Sequence, residues 1–259
     1  MDLQLSGKAI VVTGASRGIG LAIVRAFAEQ GATVVAGART TTAELAAIDG
    51  VHPVNVDLAT AEGAATLIET ADSLLGGRLD VLVNNVGGVH PRLGGFASVT
   101  DEEWQQTLNI NFLSAVRVTR AALPKMLGNG GSVVTICSVN ATLPDPLVID
   151  YSASKAALLN FSKALSKEVG PHGIRVNTIS PGPVETDLWL GAGGVAETVG
   201  GANNLTPEQV AKGAVSGSAT GRFTRPHEIA DLTLLLASGL VGNVTGTDVL
   251  IDGGLTTSL

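Results

Sequence analysis

Apolar residues fall in short uninterrupted runs separated by stretches of helical spacing. Residues 8–13, Lys-Ala-Ile-Val-Val-Thr, are the first run and predict a buried strand. Comparable runs at 33–38, 51–56, 79–83, 131–138, 174–179 and 249–252 bring the predicted strands to about seven. Residues 21–30, 61–75 and 150–169 read as helices between them. Thr100 with Glu103 is a capping box that predicts a helix running to about Leu127, and Pro226-His227-Glu228 opens another. Strand and helix alternate throughout, which predicts an α/β, doubly wound parallel sheet in three layers. No stretch has the character of a linker and there is no internal repeat, so residues 1–259 read as a single domain. One region breaks the pattern: eight glycines lie between Gly191 and Gly221. Loops of this length are lids, binding loops or plain flexible surface, and a lid over about 187–222 is the expectation. Thr206-Pro207-Glu208-Gln209 inside it is a helix start.

Composition narrows the class. Hydrophobic residues make up 45% and aromatics 3%, so the apolar mass is Ala, Val, Leu and Ile, and global disorder is excluded. The net charge of −7 offers no basic footprint for nucleic acid. Cys137 is the single cysteine, which excludes an internal disulfide and a Cys-clustered zinc site. It adjoins Ser138 on a strand, points to the other sheet face, and reads as a small core residue. His52, His90, His172 and His227 are scattered without ligand spacing, so no metal is expected. The first residues lack a basic region followed by an apolar one, and the best apolar helical stretch, 229–240, contains Asp231. A cytoplasmic protein without membrane contact is the expectation.

The candidate chemistry begins at Thr13-Gly14-Ala15-Ser16-Arg17-Gly18-Ile19-Gly20, between the first strand and the first helix. Glycines let the backbone turn sharply and approach a ligand, while the helix N-terminus presents free N–H groups to a phosphate. A tight turn without ligand is the bland alternative. Dinucleotide folds carry an acid at the end of the second strand for the adenosine ribose, or an Arg for a 2′-phosphate. Here the strand ends Val35-Ala36-Gly37-Ala38-Arg39, with no acid. Arg39, with Arg17 reaching from the turn, favours NADP over NAD; otherwise both are solvated surface charges. Asp57, followed by Leu58, follows the third strand and is placed at the adenine amino group, or else caps a turn.

Tyr151 is the only tyrosine, and Lys155 follows it by one helical turn. A nearby ammonium favours a phenolate, the tuning that acid–base catalysis by a phenol needs. Such a pair alone arises often by chance. Ser138 ends the fifth strand, at the sheet edge where doubly wound folds bind ligands, and it either holds a substrate carbonyl or caps local backbone.

These residues together resemble a family, the classical short-chain dehydrogenases/reductases. The resemblance covers essentially the whole chain: residues 13–20, Asn84-Asn85-Val86-Gly87, Asn111, Ser138, Tyr151 with Lys155, Pro181-Gly182, Thr245-Gly246 and Asp252-Gly253-Gly254, in order. It implies a Rossmann-type fold and hydride transfer between NADP(H), or less expectedly NAD(H), and a carbonyl or secondary alcohol. Tyr151 would be the general acid/base, with Lys155 on the nicotinamide ribose and Ser138 on the substrate carbonyl. Asn111 would kink its helix and hold a relay water. Cofactor contacts would come from Gly14, Ser16, Arg17, Gly18, Ile19 and Gly20, from Asn84, Val86 and Gly87, and from Pro181, Gly182, Val184 and Thr186. Val86 stands where the family usually has Ala. A homotetramer, or a homodimer, is implied through helices at about 101–127 and 150–169 and the last strand. Segment 143–147 and the loop after Thr186 vary with substrate in the family, so no substrate carries over. A non-catalytic dinucleotide sensor would not need the full Ser138, Tyr151 and Lys155 set, and no Gly-x-Ser-x-Gly elbow surrounds Ser138 as in a serine hydrolase.

Overall fold

Runs of Val, Ile and Ala with no polar face can lie only in the middle of a layered structure, and the sheet is where they go. The computed structural model describes residues 2–257. Strands β1 (Ala9–Thr13), β2 (Thr33–Ala38), β3 (Val51–Asn55), β4 (Val81–Asn84), β5 (Gly131–Ile136), β6 (Ile174–Pro181) and β7 (Asp248–Ile251) form one parallel sheet. Their order is β3-β2-β1-β4-β5-β6-β7, so the winding reverses between β1 and β4. In an open α/β sheet, ligands bind in the crevice beyond the carboxyl ends of the strands at that switch point.

The helices are α1 (Gly18–Glu29), α2 (Ala43–Ala46), α3 (Ala61–Leu74), α4 (Asp101–Leu108), α5 (Ser114–Met126), α6 (Ile149–Val169), α7 (Asp187–Leu190), α8 (Val195–Asn203), α9 (Pro207–Val215) and α10 (Pro226–Ala237). Alternation along the strands divides the core in two. Ile10, Val12, Val34 and Ile179 point to the face covered by α1 and α10, against Ile23, Phe27 and Ile229. Val11, Val35, Leu82 and Val176 point to the face covered by α3, α5 and α6, against Leu67, Val118 and Leu165. Each such side chain fully buried contributes about 1.5–3 kcal/mol, so both faces hold the sheet flat against its helices.

The helix predicted from Thr100 to about Leu127 is helical from Asp101 to Met126, with one wide turn at 109–113, paired i to i+5, between α4 and α5. Asn111 lies in this turn, and its side-chain amide takes the Thr107 carbonyl that a regular helix would use internally. The glycine-rich region is more ordered than a loop, for it folds into α7, α8 and α9, with Thr206 and Gln209 forming the capping box. Its two ends are clasped. Val184 bridges Thr224, Glu185 N–H donates to Thr224 O at 2.9 Å, and Trp189 packs edge-on to Phe223 at 5.7 Å.

Helix α10, which backs the α1 side of the sheet, ends on a strand residue. The Arg175 guanidinium donates to the carbonyls of Leu236 at 2.7 Å and Ser238 at 2.9 Å. These are carbonyls a helix end leaves without partners, at the negative end of its dipole. Arg175→Met is expected to cost about 2 kcal/mol by leaving Ser238 O without its donor and Leu236 O with Ser132 Oγ alone. A denaturant midpoint equal to the parent's would contradict this account of the helix end.

Candidate active site

The glycine turn is stitched to the end of β4. Thr13 Oγ1 accepts from the N–H groups of Asn85 at 2.9 Å and Val86 at 3.2 Å, and donates to Val83 O. Asn85 Nδ2 in return donates to the carbonyls of Thr13 at 3.0 Å and Gly14 at 3.1 Å. Gly14 has φ +66°, and a Cβ on Gly20 would stand 2.1 Å from Gly14 O, so α1 starts pressed against the turn. Arg17 caps α1 without a side-chain hydrogen bond, and the first turn holds no acid. The first N–H groups of α1 are therefore not claimed by a side chain, which is the condition for binding an anion there. Ser16 is held by its carbonyl, which accepts from Thr42 Oγ1 at 3.1 Å, while Gly18 and Ile19 begin the helix half-buried.

Arg17 and Arg39 are both exposed. Asp57 uses one carboxylate oxygen on Ala59 N–H at 3.0 Å, as a turn cap does. At two of the expected cofactor contacts the side chain is turned inward. Leu58 is 2% exposed with its side chain in the core, so no side-chain contact is open to it. Asn84 turns its amide into α5, where Nδ2 donates to Thr119 Oγ1 at 2.9 Å. Only the main chain of either residue remains for a ligand.

The other residues meet around Lys155. The residue is 3% exposed, and its ammonium donates to Ile136 O at 3.0 Å and lies 5.7 Å from the centre of the Tyr151 ring. A Cβ on Gly87 would stand 2.9 Å from Asn111 Oδ1 and 3.5 Å from Lys155 Nζ. Gly87 is thus the gap between these two side chains. Asn111 is 1% exposed; its amide donates to Gly88 O at 2.9 Å and to Thr107 O, and its oxygen accepts from Gly88 N–H. Ser138 follows β5 and is buried. Its hydroxyl pairs with the Asn140 side chain and main-chain N–H, both at 3.2 Å, which is the local capping alternative. Cys137 Sγ turns to the α6 side against Lys155 O, and burial pushes its thiol up, as befits a core residue.

Beyond β6, Gly182 N–H donates to Ile251 O, and Val184 is buried at the clasp of the 187–222 region. Thr186 caps α7, and its Cγ2 would stand 3.2 Å from a Cβ on Gly18. The segment from Pro181 to Thr186 therefore runs back over the glycine turn.

One cluster escaped the sequence reading. Asp150, beside Tyr151 in the first turn of α6, is 1% exposed. Its Oδ2 accepts from Arg92 Nη2 at 2.6 Å, Arg92 Nε at 3.1 Å and Thr107 Oγ1 at 2.6 Å. Arg92 Nη1 reaches Glu103 at 2.7 Å. Burial alone would raise the Asp150 carboxyl; the Arg92 and Thr107 hydrogen bonds and the Arg92 charge reverse this and hold it below the usual carboxylate range. No spacing signal links residues 58 apart, and an acid in a first helical turn reads as a dipole charge.

The comparisons agree with this geometry. Residues 8–192 match the family model described as short chain dehydrogenase. The chain is 34% identical to an uncharacterised oxidoreductase, YvrD, of Bacillus subtilis, over 100% of both chains. It is 33% identical to the 3-oxoacyl-[acyl-carrier-protein] reductase FabG of Thermotoga maritima, over 98% of this chain and 99% of that one. It superposes on the L-sorbose reductase of Gluconobacter frateurii, solved with NADPH and L-sorbose, with a TM-score of 0.91 at 33% identity and full coverage of both. The chain belongs to the short-chain dehydrogenase/reductase family. Membership makes it an oxidoreductase that uses a nicotinamide dinucleotide and acts on a small molecule. Among the described residues no helix is long and apolar enough to cross a membrane.

The Asp150 carboxyl titrates lower in the folded chain than its unfolded value of about 3.9, so the stability it contributes is complete above about pH 4 and is lost as pH falls through the folded-state titration. Asp150→Asn, which leaves Arg92 with Glu103 alone, is expected to cost about 3 kcal/mol near neutral pH. Melting curves across pH should show that gap close in acid. A gap that persists unchanged below about pH 3 would contradict the linkage.

Proposed function

We propose that the protein is a cytoplasmic NADP(H)-dependent carbonyl reductase that interconverts a ketone and a secondary alcohol. The observation that carries the reading is the position of Lys155 Nζ, 5.7 Å from the only tyrosine ring and beside the gap at Gly87. The residues present fit the dinucleotide. At Gly14 and Gly20 the backbone packs too closely for a side chain, which keeps the turn tight against the start of α1, and the α1 N-terminus has no side chain on its first N–H groups. Gly14, Ser16, Arg17, Gly18, Ile19 and Gly20 would take the phosphates, with Asp57 at the adenine. Val86, Gly87 and the main chain of Asn84 and Leu58 would line the adenosine, and Pro181, Gly182, Val184 and Thr186 the nicotinamide end.

When bound, the cofactor supplies or accepts the hydride. Ser138 Oγ, freed from Asn140, donates a hydrogen bond to the substrate oxygen. Tyr151 Oη gives that oxygen its proton in reduction and removes it in oxidation. Lys155 holds the cofactor ribose and keeps its ammonium beside the phenol ring. Asn111 fixes the loop at Gly88 against α4 and orders a water beside Lys155. Arg39 and Arg17, both exposed beyond β2 and the turn, favour a 2′-phosphate over a bare ribose. The single cysteine accords with a reducing compartment. The edge strand β7, with Leu250 exposed, together with the α4–α5 and α6 faces, supports assembly into a homotetramer, which light scattering of the purified protein tests.

Tyr151→Phe is expected to lower turnover at least about a hundredfold while NADPH binding stays within about twofold of wild type. Residual turnover within about tenfold of wild type would sink the assignment. Fluorescence titration with each nicotinamide cofactor tests the phosphate contact. Arg39→Ala should weaken NADPH binding by about ten- to a hundredfold and leave NADH unchanged. A wild-type preference for NADH would make Arg39 a bystander and the enzyme NAD-dependent.

A further inference from the structure

Helix α6 carries both Tyr151 and Lys155, yet it has no cap of its own: Val148, at its N-cap, makes no side-chain hydrogen bond. The first turn is held from outside instead. Asp150 accepts three hydrogen bonds, from Arg92 on the segment after β4 and from Thr107 on α4. Arg92 N–H also donates to Leu147 O at 2.7 Å, just before the helix starts. Arg92 thus grips both sides of the entry to α6. Its side chain is 11% exposed, so the grip is shielded from water and from salt. The same cluster reaches the proposed relay residue, because Thr107 offers its hydroxyl to Asp150 and its carbonyl to Asn111. A continuous path of hydrogen bonds therefore runs from Glu103 through Arg92, Asp150 and Thr107 to Asn111 and Gly88. It joins the three elements whose relative placement decides where the phenol sits: the segment after β4, the α4 side of the wide turn, and the first turn of α6.

We infer that Arg92, acting through Asp150 and Thr107, is the positioning residue that fixes Tyr151 for proton transfer. The inference rests on the reading of Tyr151 as the general acid/base. It assigns Arg92 no contact with substrate or cofactor. An Arg serves here better than a Lys, because one planar fork reaches Asp150, Glu103 and Thr107 together.

The one tyrosine allows a test that needs no substrate. Fluorotyrosine incorporated in place of tyrosine labels Tyr151 alone, and its fluorine NMR signal reports the ring's surroundings. Arg92→Gln and Thr107→Val should each move that signal well beyond its linewidth. Thr107→Val keeps every charge, so it remains informative if Arg92→Gln does not fold. Lys125→Gln, which breaks the distant pair with Asp72 on the α3–α5 face, should leave the signal in place. In turnover, Arg92→Gln should lower kcat about tenfold or more with NADPH affinity within about twofold, and Arg92→Lys should recover part of the loss. A signal that stays in place in both variants, with kcat within about twofold of wild type, overturns the inference. An inactive wild type whose signal still moves on substitution overturns the functional reading and leaves the positioning role standing.

Discussion

A lysine buried to 3% exposure must find acceptors for its ammonium, because an unpaired charge away from water is among the costliest things a fold can contain. Lys155 finds the carbonyl of Ile136, the last residue of β5, and that single bond ties the middle of α6 to the edge of the sheet. The rest of the site is arranged around it. Tyr151, one turn earlier, is brought over the ammonium; Ser138 follows two residues after the acceptor; Gly87 is left without a side chain because any Cβ would crowd Asn111 and Lys155. An ammonium has three donors. One is committed to the sheet, and the Tyr151 ring lies 5.7 Å from the same nitrogen.

Much of this was legible in the chain because it depends on local patterns. The two-sided burial of the strands shows as runs without polar alternation, and the glycine turn shows as a break between a strand and a helix. Tyr151 and Lys155 are one turn apart, so any helix there makes them neighbours. What was not legible depends on contacts between distant residues. The Arg92 and Asp150 pair spans 58 residues, and the partner Gly88 that Asn111 takes lies 23 residues away. Asn84 is different, for the signal was present. β4 alternates, Leu82 faces α3 and α5, and Asn84 two residues on must face them too. The period of the strand assigns Asn85, not Asn84, to the glycine turn.

The 187–222 region shows how composition misleads when read without its anchors. Eight glycines suggest slack, yet three short helices form, one of them closed by a capping box. The region's two ends meet at Val184 and Thr224, with Trp189 against Phe223 above them. The clasp anchors these helices at their base, and Thr186 beside it packs against Gly18 of the glycine turn.

Residue type alone would have given every arginine near the crevice the same meaning. Arg92 is enclosed and consumed by two carboxylates and a threonine hydroxyl, so its charge is already answered. Arg17 and Arg39 stand exposed at the opposite side of the crevice, where the charge of a ligand would be the thing to answer. The carboxylates divide the same way. Asp150 is buried and bound to a cation, while Asp57 is exposed and caps a turn with one oxygen, leaving the other to a ligand. In a cleft built from a rigid sheet, the groups whose hydrogen bonds are complete hold the site in shape, and those whose bonds are incomplete are the ones that meet the ligand. By that criterion Arg17 and Arg39 at the glycine turn are open, while Arg92, answered by Asp150, Glu103 and Thr107, holds α4 against α6.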